Sequence, residues 1–192
     1  MMEQHVQTIL RSIKQTDPPK RPYIIAIDGR CGAGKSTIAA RLAEVLNATL
    51  FHMDDYFLRP EQRTPERFST PGENIDHERF LKEILIPLKE GRTITYSPYS
   101  CTTQTLLDPI TVTPADIVIV EGSYALHPTL RAYYDLRVFL TLFPREQEAR
   151  IRARNGDAIW PMFKNRWIPM EEAYHIYCEV EKYSDLILWT DN

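Results

Sequence analysis

Eight residues constrain this chain more than any others. Gly29-Arg30-Cys31-Gly32-Ala33-Gly34-Lys35-Ser36 sets a glycine, a four-residue gap and Gly-Lys-Ser in the spacing that wraps a polyphosphate. Before it, Tyr23-Ile24-Ile25-Ala26-Ile27 is a short apolar run rich in β-branched residues, which predicts a buried strand. After it, Thr37 to Leu46 carries helical spacing. A strand, a glycine loop and a helix in that order let consecutive backbone N–H groups and a helix N-terminus converge on an anion. Gly29, Arg30, Cys31, Gly32, Ala33, Gly34, Lys35, Ser36 and Thr37 are therefore the candidate residues for a bound nucleotide. Lys35 adds a mobile positive charge that can follow the outer phosphates, and the Ser36 hydroxyl is placed to hold Mg²⁺.

At 192 residues with 43% apolar content, the chain fits one α/β domain with a sizeable core. A net charge of −3 and the absence of any Lys/Arg block argue against nucleic acid or an anionic membrane as partner, and for a small molecule. No apolar stretch reaches membrane-spanning length, and the first residues lack the order of a signal peptide. Cys31, Cys101 and Cys178 are odd in number and far apart, so neither a disulfide framework nor a zinc pattern is supported, and a reducing cytoplasm is expected. Cys31 is read as a tolerated position in the loop rather than a redox sensor. The sequence is compatible with a homo-oligomer.

Along the chain, Val6, Ile9, Leu10 and Ile13 share one helical face, predicting an amphipathic helix that Pro18, Pro19 and Pro22 end. Thr49 to Met53 predicts a second strand, and a strand-helix-strand unit requires a parallel sheet with a right-handed crossover. Asp54 and Asp55 then emerge at the sheet edge that carries the glycine loop. Arg59 to Glu73 reads as a surface excursion. Asp76 is a plausible N-cap for a helix with Phe80, Leu81, Ile84, Leu85 and Leu88 on its apolar face, closed by Gly91. Thr93 to Ser97 and Leu106 to Thr113 predict a hairpin around Tyr99 and Gln104, an arm able to cover a substrate. Ile117 to Val120 predicts a central strand delivering Glu121 to the nucleotide edge, a candidate for the metal. Leu136 to Leu142 and Asp185 to Trp189 predict strands, with a helix at Arg145 to Arg154 broken by Asn155-Gly156.

Phosphoryl transfer needs phosphates held, Mg²⁺ placed, an acceptor hydroxyl oriented and developing charge stabilised. Asp54 is the candidate base for the hydroxyl proton, with Lys35 beside the transferred group. Arg150 and Arg154, four residues apart, lie on one helical face and can close over the phosphates. The five histidines show no metal-ligand spacing, and His77 is assigned to the start of its helix.

Together these motifs resemble the uridine kinase and phosphoribulokinase family of P-loop kinases, from about Tyr23 to Trp189. The resemblance implies a three-layer α/β sandwich with a central parallel sheet, an N-terminal helix at 1–16, a small β-hairpin arm at 93–113 and a helical lid at 150–170, all in one domain over 1–192. It implies ATP and Mg²⁺ as cofactors and a nucleoside as acceptor, most simply uridine or cytidine at its 5′-hydroxyl. Met53-Asp54-Asp55-Tyr56-Phe57 resembles the segment whose first acid is the family's base, and brings Tyr56 to the substrate. Asn74-Ile75-Asp76-His77 resembles the element whose Asp binds ribose, and Tyr99 falls where the family has a base-contacting Tyr. Glu121-Gly122 resembles the acid-Gly after the central strand, while Arg150 and Arg154 match lid arginines. Gln104 stands where the family has a base-reading His, and Gln147 where it has a ribose-contacting Arg. Arg59, Arg63 and Arg67 keep open a phosphorylated acceptor, such as a nucleoside monophosphate or a sugar phosphate. A nucleotide-dependent switch or binding module that phosphorylates nothing is a third reading, although the guanine-reading Asn-Lys-x-Asp segment is absent.

Overall fold

The computed structural model describes residues 2–14 and 22–191. Helix α1 (Met2–Lys14) buries Val6 and Ile9 completely, with Leu10 and Ile13 packed beside them. Each such side chain contributes about 1.5–3 kcal/mol relative to an exposed one. Pro18 and Pro19, expected to end this helix, lie outside the described residues.

Strand β1 (Tyr23–Gly29) is buried throughout. It runs into the glycine loop and helix α2 (Lys35–Leu46), which returns to β2 (Thr49–His52). A 3₁₀ turn at Met53–Tyr56 and a short helix α3 (Pro65–Ser69) lead to α4 (His77–Phe80), a π turn (Leu81–Leu85) and α5 (Ile86–Lys89). The Asp76 side chain accepts from the Arg79 amide, as an N-cap should. The arm is a hairpin in two pieces: β3 (Ile94–Tyr96) pairs with β6 (Ile110–Val112), and β4 (Tyr99–Ser100) with β5 (Thr105–Leu106), all antiparallel. Strand β7 (Ile117–Glu121), β8 (Leu136–Thr141), helices α6 (Pro144–Asn155) and α7 (Trp160–Met162), a second π turn (Phe163–Trp167), α8 (Ile168–Tyr177) and β9 (Leu186–Trp189) complete the chain.

The main sheet has the order β2-β7-β1-β8-β9, and every pairing is parallel. Side chains alternate across β1. Ile25 and Ile27 join Val6, Ile38 and Leu42 in one core, while Ile24 and Ala26 join Phe51, Phe80 and Tyr174 in the other. The sheet is therefore covered on both faces, giving the three-layer sandwich. From β1 the chain goes to the β2 edge, and from β8 to the β9 edge, so β1 lies at the point where the order reverses and its carboxyl end opens into a crevice. No described helix is long and apolar enough to cross a membrane.

Where β1 ends, Gly29 has φ +142 and passes hard against β8, so a Cβ there would overlap the Leu140 carbonyl and lie 2.7 Å from its amide nitrogen. Gly29→Ala is expected to cost about 2–3 kcal/mol or more. Urea unfolding of the two proteins measures the difference, and an unchanged midpoint would contradict the close approach.

Candidate active site

Gly34 takes the left-handed conformation (φ +84) at the N-cap of α2, and the first helical bond runs from the Ile38 amide to the Gly34 carbonyl. The amides of Gly34, Lys35, Ser36 and Thr37 thus have no intrahelical acceptor and face outward together as a cradle for an anion. Lys35 Nζ lies over the loop, donating to the carbonyls of Gly29 (2.7 Å) and Arg30 (3.2 Å). The Ser36 hydroxyl donates to Glu121 Oε2 at 3.1 Å. Parallel pairing sets Glu121 beside both Ile27 and His52 at the carboxyl edge. There His52 Nδ1 meets the other carboxylate oxygen, Oε1, at 2.5 Å. That hydrogen bond raises the His52 pKa against the opposing effect of burial, so His52 holds Glu121 in one orientation. Ser36 and Glu121 form a hard oxygen pair of the kind Mg²⁺ takes.

Behind the cradle, α8 holds the loop with consecutive acids. Glu171 accepts from the Cys31 amide (3.0 Å) and the Ser123 hydroxyl (2.9 Å). Glu172 accepts twice from the Arg30 guanidinium, at 2.7 and 3.0 Å. The Arg30 side chain therefore turns away from the cradle and belongs to the scaffold. Gln147, on α6, donates to the Cys31 carbonyl at 3.0 Å. Burial pushes the Cys31 thiol pKa up, which suits an inert filler rather than a redox sensor.

In front of the cradle lies a cavity of about 830 Å³ whose walls include Lys35, Ser36, Asp54 and Glu121. Asp55, the adjacent acid, does not line it. Asp54 is open to this cleft yet ringed by protein. The resulting desolvation raises its pKa, aided by Glu121 and opposed by Lys35, His52 and Arg154. The far walls carry Phe57, Arg63, Asn74 and Tyr124, with Arg166 and Trp167 from the lid side. A smaller cavity of about 360 Å³ lies across the loop, between Ala33, Thr37 and Ile38 on one side and His5, Arg150 and Thr190 on the other.

Several of the residues expected at the site sit elsewhere once the chain is folded. Tyr56 has no solvent exposure: its ring packs on Phe80 and Tyr96, under the Arg79 guanidinium, in the core. Both oxygens of Asp76 are engaged, one by the Arg79 amide (3.1 Å) and one by Gln62 Nε2 (2.8 Å), and Asn74 reaches the cavity instead. Gln104 stands exposed in the arm's turn at φ +58, outside the cavity wall. Tyr99 is buried and acts through Arg63, which it meets at 2.7 Å. The two expected lid arginines separate. Arg154 lines both cavities, whereas Arg150 is held by the Thr190 carbonyl (2.5 Å) and Glu146 (2.8 Å) beside the smaller one. Of the three arginines after β2, Arg63 alone lines the cavity. Arg59 pairs with Glu61, and Arg67 with Glu73 and Glu78. Sequence reasoning missed His52, Asn74, Arg166 and Trp167. The Asn74 position was readable from the motif that contains it, but the others carry no local signal.

A family model described as the phosphoribulokinase / uridine kinase family matches residues 24–144. The chain is 27% identical over 187 residues to the uridine kinase of Ligilactobacillus salivarius, covering 88% of this chain and 85% of that one. Among solved structures, a protein titled a possible uridine kinase from Bacillus stearothermophilus superposes with a TM-score of 0.74 at 22% identity, over 97% of this chain and 98% of that one. D-glycerate 3-kinase from Cryptococcus neoformans gives 0.60 at 18% identity, over 90% and 88% of the two chains.

The Arg30–Glu172 strap titrates in a readable direction. Burial works against the Glu172 carboxylate, but the His175 ring 3.8 Å away and the hydrogen bonds from Arg30 outweigh it and bring the pKa from 4.5 down to about 2. A carboxyl with a depressed folded-state pKa stabilises the fold above its unfolded value and loses that contribution as pH falls toward the folded one. Glu172→Gln should therefore unfold at lower urea than the parent at pH 7, and the gap should narrow as pH is lowered from about 5 toward 3. A gap independent of pH would count against the strap.

Proposed function

The chain belongs to the phosphoribulokinase / uridine kinase family and is a phosphotransferase. From that premise we propose that it moves the γ-phosphate of ATP to a hydroxyl of a small acceptor, with the 5′-hydroxyl of uridine or cytidine as the first candidate. One observation carries this reading: Asp54 opens into the same cavity as Lys35, Ser36 and Glu121, so a base and a phosphate cradle face one another across a space large enough for an acceptor.

In this reading the smaller cavity receives the nucleotide's base, the amides of Gly34 to Thr37 and Lys35 hold its phosphates, and Ser36 with Glu121 hold Mg²⁺. Bound there, the metal supplies positive charge against the phosphate oxygens. The acceptor hydroxyl gives its proton to Asp54 as its oxygen bonds to the γ-phosphorus, and the bond to the β-phosphate oxygen breaks to leave ADP. The elevated Asp54 pKa makes it a stronger base than an ordinary aspartate. Arg154 and Arg166 supply cationic groups at the lid, and Trp167 narrows the access of water.

A second reading rests on Arg63 and Arg166. Both line the cavity, and among the described residues no carboxylate pairs with either, which supports an acceptor that already carries a phosphate. Screening nucleosides, nucleoside monophosphates and sugar phosphates with ATP separates the two. ATP hydrolysis that ignores every acceptor would favour the switch reading instead.

Asp54→Asn should keep ATP binding and lower acceptor phosphorylation by about 10²–10⁴-fold, the usual worth of a positioned base. An unchanged rate would remove Asp54 from the chemistry. Because Asp54 must be ionised to accept a proton, the acid limb of kcat/KM should lie above the ordinary aspartate value of 3.8, and the residual activity of Asp54→Asn should lack that limb. If the acceptor carries a phosphate, Arg166→Ala should raise its KM by about tenfold or more while leaving that for ATP nearly unchanged.

A further inference from the structure

On the far side of the loop that carries Asn74, two histidines 50 positions apart in sequence are stacked, with ring centroids 4.0 Å apart and planes 16° from parallel. His77 opens α4, and His127 lies in the turn after β7. Both are buried. Their Nδ1 atoms share one partner, the Thr129 hydroxyl, at 3.1 Å from His77 and 2.8 Å from His127. Their Nε2 atoms both face the carboxylate of Glu73: that of His77 is 3.2 Å from each oxygen, and that of His127 is 3.7 Å from Oε1.

Counting protons exposes a deficit. The Thr129 amide donates to His127 Nδ1 at 3.3 Å, so that nitrogen accepts; the Thr129 hydroxyl turns its one hydrogen to the same ring, and His77 must donate its own Nδ1–H to the hydroxyl oxygen. A neutral imidazole that donates at Nδ1 has a bare lone pair at Nε2. One of the two rings therefore aims a lone pair at a carboxylate in a largely buried place, which is repulsive unless a positive charge lies between them. A second carboxylate deepens the need, since Glu78 Oε2 is 3.6 Å from His77 Nε2. Arg67, which neighbours both acids, is already committed to Glu78 at 2.6 Å and lies 3.6 Å from Glu73.

We propose that Glu73, His77 and His127 form a binding site for a divalent metal ion of the zinc class, distinct from the Ser36–Glu121 pair. One ligand atom from each of the three lies within 4.8 Å of the others. Ligand bonds of about 2.0–2.1 Å in a tetrahedral zinc site put neighbouring donor atoms about 3.3–3.4 Å apart. The observed 3.2 and 3.7 Å separations bracket that spacing. The two Nε2 atoms stand side by side toward the carboxylate, so an ion held by both takes the place of the remaining Nε2 proton and requires each ring to tilt out of the stack. Two neutral imidazoles and a carboxylate suit zinc and its neighbours better than Mg²⁺. Such an ion would fasten the segment holding Asn74 to the turn that follows Ser123 and Tyr124. Those three residues line the large cavity, so the site would brace its wall.

The test uses metal-free protein titrated with Zn²⁺ by calorimetry and with Co²⁺ by visible absorption. One equivalent should bind to the parent, with Co²⁺ giving the bands of a low-coordinate nitrogen and oxygen site, and Zn²⁺ should raise the melting temperature. Glu73→Gln, at a partly exposed position, should fold and lose at least about tenfold in affinity along with the Zn²⁺-dependent gain in melting temperature; His127→Gln should do the same. Glu121→Gln should retain both. Absence of one-equivalent binding, loss of it in Glu121→Gln, sulfur-to-cobalt absorption, or affinity indifferent to Glu73→Gln and His127→Gln would each overturn the proposal. In the first case an extra proton on one ring supplies the missing charge.

Discussion

A carboxylate with no access to water fixes the place where this molecule can bind phosphate. Asp28 is the next-to-last residue of β1, directly before the first glycine of the loop, and three donors from three segments satisfy it: the Gly29 amide (2.7 Å), the Leu126 amide (2.9 Å) and the Tyr174 hydroxyl (2.7 Å). An uncompensated buried charge would cost several kcal/mol, so the three partners cannot drift independently. The mouth of the loop, the turn after β7 and helix α8 are thereby locked together. The same helix then offers Glu171 to the Cys31 amide and Glu172 to Arg30, so both ends of the cradle's leading half are anchored to α8. A loop of glycines, free to adopt many shapes in isolation, is held in one by acids that lie outside its own sequence.

The parts of the fold set by strong local pattern were legible in the sequence. All five strands of the sheet, the helix after the loop, the capped helix at Asp76 and the arm follow from apolar runs, spacing and turn residues. Tyr56 was not legible, for a geometric reason: a 3₁₀ turn advances about 120° per residue, so the residue two beyond Asp54 points to another side, here into the core. Asp76 spends its oxygens on the helix start and Gln62, which leaves the cavity wall to Asn74. Gln104 aligned with a base-reading position, but its place in a tight turn with positive φ keeps it outside. His52, Arg166 and Trp167 acquire their places only through strand register and the course of the lid, which no local spacing reports.

Charge around the two cavities is divided rather than uniform. The Glu121 and Asp54 carboxylates share the large cavity with the cationic Lys35, Arg154 and Arg166. Burial raises the Asp54 pKa, and the nearby Glu121 carboxylate adds to the rise. His52 meets one oxygen of the Glu121 carboxylate and the Ser36 hydroxyl donates to the other, so Glu121 is held from both sides. Two similar side chains about the same loop thus sit in different electrostatic settings because their neighbours differ.

The two π turns have a common cause, and only one of them lies at the site. Each closes with an i→i−5 bond, from Ile86 to Leu81 and from Ile168 to Phe163, and each is followed at once by a proline, Pro87 or Pro169. A proline inside a helix has no N–H and crowds the carbonyl four residues back, and a wider turn gives that carbonyl room. The first π turn buries Ile84 and Leu85 in the core and lines neither cavity, so function is not what produces the distortion. The second has the same local chemistry but sits over the large cavity, presenting Phe163, Arg166 and Trp167 to it. Between α6 and α8, helical bonding is already interrupted there and at Gly156, whose φ is +81. If the cover over the cavity moves to admit an acceptor, these interruptions let it bend with the fewest backbone hydrogen bonds lost, while the anchors from Asp28, Cys31 and Arg30 keep α8 itself in place.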